Sequence, residues 1–247
     1  MLLAILTDIH ANRPALSACF EDAAVFNPGR YIFLGDYVGY GAEPEWVLDT
    51  IMRFVAEGAI AVRGNHDAAA TGTLRQRMRP DAQAVIDWTK PRLTARHIEF
   101  LNRLPLTAEL AGCYFAHANP WEPEEWDYIL TPADASFALA VVPHKFIFCG
   151  HAHDPALYSV SNLGKASHCV PQPGQPLPLD GPNRWLAIPG SAGQPRDGNT
   201  AAAYALFDTD TQVLTYRRVP YDTAAATAVM RAAGLPEVLA QRLERAG

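Results

Sequence analysis

Several features are scarce in this chain, and each absence narrows its class. Its four cysteines, Cys19, Cys113, Cys149 and Cys169, show no CxxC spacing, and a chain of 247 residues needs no disulfide framework to hold a core. They read as reduced, mostly buried thiols. No apolar run approaches the roughly 18 residues a membrane-spanning helix requires. The apolar stretch Met1 to Leu6 lacks a basic leader and meets Asp8 too early to be a signal-peptide core. A cytoplasmic protein without a membrane partner is the expectation. Basic excess is missing too: 20 Lys and Arg stand against 26 Asp and Glu, a net charge of -6. That disfavours extended nucleic-acid binding but leaves room for a small positive site built from metal ions. No internal repeat is visible.

What is present is a globular composition, 49% hydrophobic and 19% charged. The length suits one large α/β domain over residues 1–247. Residues 2–7 read as a buried strand, and Pro14 opens a helical pattern through Leu16, Cys19, Phe20 and Val25. Residues 31–34 form a second strand, followed by a helix from Glu43-Pro44-Glu45 whose acidic first turn suits the helix dipole. Residues 59–62 form a third. Three such units predict parallel strands with right-handed crossovers. Residues 81–104 read as helices broken at Pro91, and residues 107–110 and 113–116 as a hairpin around Ala111-Gly112. Residues 145–149, 185–188, 202–207 and 213–219 read as strands, and 222–233 and 237–245 as closing helices. The Pro- and Gly-rich segment near 161–183 reads as a surface excursion.

Five of the eight histidines fall in five short segments beside turns: Asp8-Ile9-His10, Gly35-Asp36, Gly64-Asn65-His66-Asp67, Ala116-His117 and Gly150-His151-Ala152-His153. Four of these follow an apolar strand, and strand ends are where α/β enzymes place their chemistry. In extended geometry Asp8 and His10 share one face, as do His151 and His153. Each segment alone has an ordinary explanation, such as an N-cap aspartate or a loop histidine. Five together make a metal site the better reading. Asp36 can bridge two cations, Asn65 is a neutral oxygen ligand, and His66 can project into the site as a proton donor. Asp67 either orients the His66 ring or caps the next helix. His97, His144 and His168 lie outside these segments and carry no functional role. Trp121, Trp126 and Tyr128 either line a pocket rim or anchor a loop.

The order of these segments resembles the calcineurin-like metallophosphoesterase superfamily, whose pattern is Asp-x-His, Gly-Asp, Gly-Asn-His-(Asp/Glu), His and Gly-His-x-His. The match spans residues 8–153. Asp8-Ile9-His10-Ala11-Asn12 and residues 189–198 look like its small bacterial members. The resemblance implies a four-layer α-β-β-α sandwich of two mixed sheets with a dimetal site at the strand ends. It implies one metal on Asp8, His10, Asp36 and His153, and a second on Asp36, Asn65, His117 and His151. It also implies His66 as the non-ligand acid that protonates the leaving oxygen. Ala118-Asn119 departs from the Gly and Ser that often follow the family's histidine, which concerns the pocket wall rather than the ligand.

Imidazole, carboxylate and amide donors without thiolate suit two divalent transition-metal ions such as Mn, Fe, Zn, Co or Ni. Such a pair can activate a shared water and clamp phosphate oxygens, so attack by a metal-bridging hydroxide needs no protein nucleophile. Arg13, Arg63 or Arg196 could contact a phosphate. Arg63 can equally be tied to a structural carboxylate, which leaves Arg196 as the substrate-side candidate. The expectation is a hydrolase for a small, nucleotide-like phosphoester, with a phosphodiester, phosphomonoester or pyrophosphate bond. A phosphoprotein phosphatase or a non-catalytic scaffold of the same fold are the alternatives. The complete set of site residues favours the enzyme.

Overall fold

A computed structural model describes residues 1–247. Alternation along the strands fixes its layers. In β1 (Leu2–Leu6), Leu3 and Ile5 point one way and Ala4 and Leu6 the other, as the two-residue period of a strand requires. Ala4 and Leu6 meet α1 (Arg13–Val25) and α2 (Pro44–Ala56) through Leu16, Cys19, Val47, Leu48 and Ile51. Leu3 and Ile5 face a second sheet, contributing to a core with Phe115, Phe146, Phe148 and Ala187.

The first sheet runs in the order β3 (Ile60–Ala61), β2 (Arg30–Phe33), β1, β11 (Ala202–Asp208), β12 (Val213–Val219) and β9 (Pro176–Pro178). β1, β2 and β3 are parallel, as the three strand–helix units predict, and β11 and β12 continue antiparallel. The second sheet runs β4 (Thr107–Leu110), β5 (Cys113–Ala116), β6 (Phe146–Phe148), β10 (Arg184–Ile188), β7 (Ala156–Val160) and β8 (Ala166–Cys169). Its β4–β5 hairpin is the expected one. The outer face of this sheet, Ile147, Tyr158, Leu186 and Ile188, packs on Ala135, Ala138 and Leu139 of α6 (Pro132–Val141). Helices therefore flank two mixed sheets, giving the expected four-layer sandwich.

Two readings need correction. The segment 161–183 is not simply a loop: it supplies β8 to the edge of one sheet and β9 to the edge of the other. Prolines there obscure the strands, but an edge strand tolerates a residue with no N–H to donate. The helix α6 and strand β7 were also not expected. α6 carried a legible start in Thr131-Pro132-Ala133-Asp134, where the Asp134 amide donates to Thr131 Oγ1 at 3.2 Å and the Thr131 amide donates to Asp134 Oδ2 at 2.9 Å.

The other helices are α3 (Asn65–Thr71), α4 (Pro80–Thr89), α5 (Ala95–Arg103), α7 (Thr223–Ala232) and α8 (Glu237–Arg245). A separate apolar cluster docks α7 and α8 on α4, through Ala226, Met230, Leu239 and Leu243 against Ala82 and Val85, with Tyr40 between. No helix is long and apolar enough to cross a membrane.

The loop after β10 presses on the loop after β1: the Gly193 amide donates to Asp8 O at 2.9 Å and Asn12 Nδ2 donates to Gly193 O at 2.8 Å. A Cβ on Gly193 would strike the Ile9 carbonyl, which is backbone and cannot swing away. Gly193→Ala should therefore destabilise the protein by about 1–3 kcal/mol, read as a lower urea midpoint. An unchanged midpoint would mean that the two loops are not tightly apposed.

Candidate metal centre

Each of the five segments lies just past the end of an element of the two facing sheets, so their side chains converge. They do so by turns rather than by strand alternation. β1 ends at Leu6 and β6 at Phe148, and Asp8, His10, Asp36, His151 and His153 all adopt positive φ, between 50° and 67°. The extended geometry expected for Asp8/His10 and His151/His153 is thus incorrect. Left-handed backbone at non-glycine residues is uncommon and is held only where surroundings enforce it. Here loop-to-loop bonds do so: the Asp8 amide donates to Gly35 O at 3.1 Å, His10 to Asp36 O at 2.8 Å and Ser191 to His153 O at 3.1 Å.

Three imidazoles are aimed by backbone carbonyls. His10 Nδ1 meets Val38 O at 3.2 Å, His117 Nδ1 meets Leu34 O at 2.7 Å, and His153 Nδ1 meets Gln194 O at 2.6 Å. A carbonyl only accepts, so each Nδ1 carries the proton and each Nε2 turns inward. On one side His10 Nε2 and His153 Nε2 are 3.1 Å apart, with Asp8 Oδ1 3.4 Å from the latter. On the other, His117 Nε2 lies 3.1 Å from Asn65 Oδ1 and 3.2 Å from His151 Nδ1. Asp36 Oδ2 stands between the groups, 3.7 Å from His10 Nε2 and 3.4 Å from His117 Nε2. Its other oxygen accepts the His66 amide at 2.8 Å.

The donor set fits a cation. Burial, with positive charge on neighbouring groups, holds His10 and His153 well below the usual imidazole range, so both are neutral. Their inward nitrogens are then two lone pairs facing each other at 3.1 Å, beside the buried Asp8 Oδ1, which has no hydrogen-bond partner. Donors surrounding a cation at about 2.1 Å stand about 3 Å apart, which is the spacing found. Asp36 feels burial, which favours its neutral form, but the surrounding His117 and His66 outweigh this and hold it well below the carboxylate range.

His66 lies beside these groups, its Nε2 4.0 Å from Asp36 Oδ2, so distance alone would also allow it as a ligand. Its ring packs on Tyr40 at 4.5 Å between centroids, and its buried Nδ1 has no hydrogen-bond partner. Burial lowers it to about 4. Gly39, at φ 87°, flanks Nδ1 so closely that a side chain there would collide with the ring. Asp67 does not touch the His66 ring; its carboxylate accepts amides from Asp36, Tyr37 and Gly64 at 2.9–3.0 Å, capping α3 and tying it to the Asp36 loop.

Above the cluster lies a cleft of about 220 Å³ lined by Asn65, His66, His151, His153, Tyr128 and Arg196, among others. Trp126 and Tyr128 belong to its wall, whereas Trp121 packs edge-on against Phe137 of α6 at 5.0 Å. Tyr128 stacks on His151 at 4.0 Å. Arg13 points elsewhere, toward Glu43 and Trp46, and Arg63 lines a different cavity without a carboxylate partner. Ala118 is buried against Trp126 and Ala68. Tyr40, Arg77 and Arg79 also line the cleft and were not expected, since no motif marks them.

A buried Asp/His cluster between two mixed sheets fits a metal-dependent phosphoesterase class. Residues 1–203 match the calcineurin-like phosphoesterase family, and the chain belongs to it; it is a metal-dependent phosphoesterase. An uncharacterised protein of Methanocaldococcus jannaschii is 34% identical, with 98% of this chain and 97% of that one covered. A metallophosphoesterase from Sphaerobacter thermophilus superposes with a TM-score of 0.88 at 34% identity, covering 100% and 99% of the two chains. A hypothetical protein from Pyrococcus horikoshii shares the fold, with a TM-score of 0.82 at 20% identity and 100% and 98% covered.

Burial opposes charge on His117, but the adjacent Asp36, with Asp8 behind it, raises this ring to about 9. Below that pH, without a cation, His117 carries a second proton on the nitrogen that faces the cluster, and a metal must displace it. Manganese or zinc binding should therefore tighten as pH rises from 6 toward 9 and release a proton, detectable by calorimetry in buffers of different ionisation enthalpy. Binding with no proton release would show that His117 does not face the ion.

Proposed function

We propose that the chain is a dimetal hydrolase of small phosphoesters, with one cation on Asp8, His10, Asp36 and His153 and the other on Asp36, Asn65, His117 and His151. The observation that carries this reading is Asp36 Oδ2, within 3.7 Å of imidazole nitrogens on both sides. The donor set favours Mn, Fe, Zn, Co or Ni over Mg or Ca. When bound, such a pair lowers the pKa of a water and neutralises phosphate oxygens.

The chain's own residues supply the rest. The carbonyls of Leu34, Val38 and Gln194 fix the imidazole tautomers before any ligand arrives, so little reorganisation accompanies reaction. The apolar sheets beneath exclude water from Asp8 and Asp36, both at most 1% exposed, which strengthens their field. Arg196 at the cleft wall is the residue placed to hold a phosphate oxygen; its Nη2 donates to Gln194 Oε1 at 3.1 Å and its Nε is unpartnered.

His66 is the proposed acid. Burial keeps it neutral on its own, and an anionic phosphate beside Nε2 would favour its imidazolium form. That proton then passes to the departing ester oxygen. A small substrate suits the 220 Å³ space over the cluster.

With manganese, the wild type should hydrolyse aryl phosphodiesters or phosphomonoesters, and Asp36→Asn should fall to background with reduced metal content. Equal turnover in the two proteins would overturn the reading. His66→Gln should keep its metal and lose about 10²–10⁴-fold on alkyl esters, which need a proton, and far less on p-nitrophenyl esters. A uniform loss on both ester types would remove the acid role.

A further inference from the structure

Beside the space over the cluster lies a second cavity of about 410 Å³, and the two share Tyr40, Arg79, Tyr128 and Arg196 as lining residues. Arg242 and Arg245 of α8 complete a wall of four guanidinium groups around it, and Arg77 lines the first space. Gly247, which carries the terminal carboxylate, also lines this cavity and is in no ion pair, and the side-chain carboxylates facing the arginines are few. Asp81 pairs with Arg242 at 3.1 Å and with Arg79 at 3.5 Å, and Glu125 lies across the first space, bonded to Gln76. Arg196 and Arg245 have no carboxylate partner, and Arg196 Nε is buried and unsatisfied.

This concentration of positive charge occurs in a chain whose net charge is -6, so it is a local construction. α7 and α8 are docked on α4 by an apolar contact that brings residues 161 positions apart, Asp81 and Arg242, into one ion pair at its edge. A cleft lined by one sign of charge concentrates counter-ions. A carboxylate is satisfied by one guanidinium fork, whereas several forks around one space suit a multiply charged phosphate. One phosphate at the metal-type cluster would engage Arg196; it leaves Arg242 and Arg245 facing space beyond it.

We propose that this second cavity binds another phosphate of the same molecule, so that the substrate class is an organic diphosphate or polyphosphate rather than a lone monoester or simple diester. The inference rests on the phosphoesterase reading above. Hydrolysis of a diphosphate forms a bond from a water oxygen to the phosphorus at the Asp/His cluster and breaks the bridging P–O bond. The electron pair and a proton go to the departing phosphate oxygen.

Two measurements on the manganese-loaded protein, with metal in excess, test this. The first compares binding of AMP and of adenosine α,β-methylene diphosphate, which cannot be cleaved between its phosphates, to wild type and to Arg245→Gln and Arg242→Gln by calorimetry. The diphosphonate should bind wild type at least tenfold more tightly than AMP, and each variant should erase most of that preference. Equal affinities in wild type, or a preference that survives in both variants, would overturn the proposal. The second compares kcat/KM for ADP and for p-nitrophenyl phosphate: Arg245→Gln should lose tenfold or more on ADP, mainly through KM, and under threefold on the aryl ester. Equal losses on both would also overturn it. If no phosphoester is turned over at all, the hydrolase reading fails, and the binding comparison still decides whether the second phosphate site exists. Because Arg242 also ties Asp81, Arg245→Gln, which breaks no ion pair, separates binding from folding.

Discussion

One buried carboxylate, Asp36, governs the arrangement of everything around it. Unpaired, it would be costly at this depth, because burial of a charge without partners is among the largest penalties in a fold. It is stabilised instead from both sheets: the His66 amide donates to one oxygen and imidazoles from the first-sheet loops and the second-sheet loops face the other. The Asp67 carboxylate in turn gathers the amides of Asp36, Tyr37 and Gly64, so the loop that carries Asp36 is fixed by α3. The left-handed backbone at Asp8, His10, His151 and His153 follows from the same demand, since only sharp turns bring these side chains back over the sheet ends.

The layered fold was largely legible because two-residue alternation survives burial on both faces. Ala4 and Leu6 against helices, with Leu3 and Ile5 against the other sheet, is what a strand between two cores must look like. The candidate ligands were legible as residue types in strand-end segments, and the structure brings all of Asp8, His10, Asp36, Asn65, His117, His151 and His153 into one cluster. Their backbone geometry was not legible, because φ at a non-glycine turn is set by the neighbouring loops rather than by the residue itself. Strands β8 and β9 were hidden by prolines whose missing N–H groups do no harm at a sheet edge.

The arginine-lined cavity was illegible for a different reason. Arg79, Arg242 and Arg245 belong to helices distant in sequence, and nothing local to any of them signals that docking α8 on α4 will set them beside the cluster. Conserving the apolar contact among Met230, Leu239, Leu243 and Val85 is thus as important to that cavity as the charges are. The division of labour is clear in physical terms. The two sheets fix a dry, carbonyl-aimed donor cluster, and the C-terminal helices shape what lies beyond it.

In the function we propose, two cations share Asp36 while His66 binds neither. A crystal grown with manganese, measured for anomalous scattering at the manganese edge, tests it most directly. Two peaks flanking Asp36 Oδ2 are expected, one within bonding distance of Asp8, His10 and His153 and the other of Asn65, His117 and His151. A single peak, or one bonded to His66 Nε2, would contradict it.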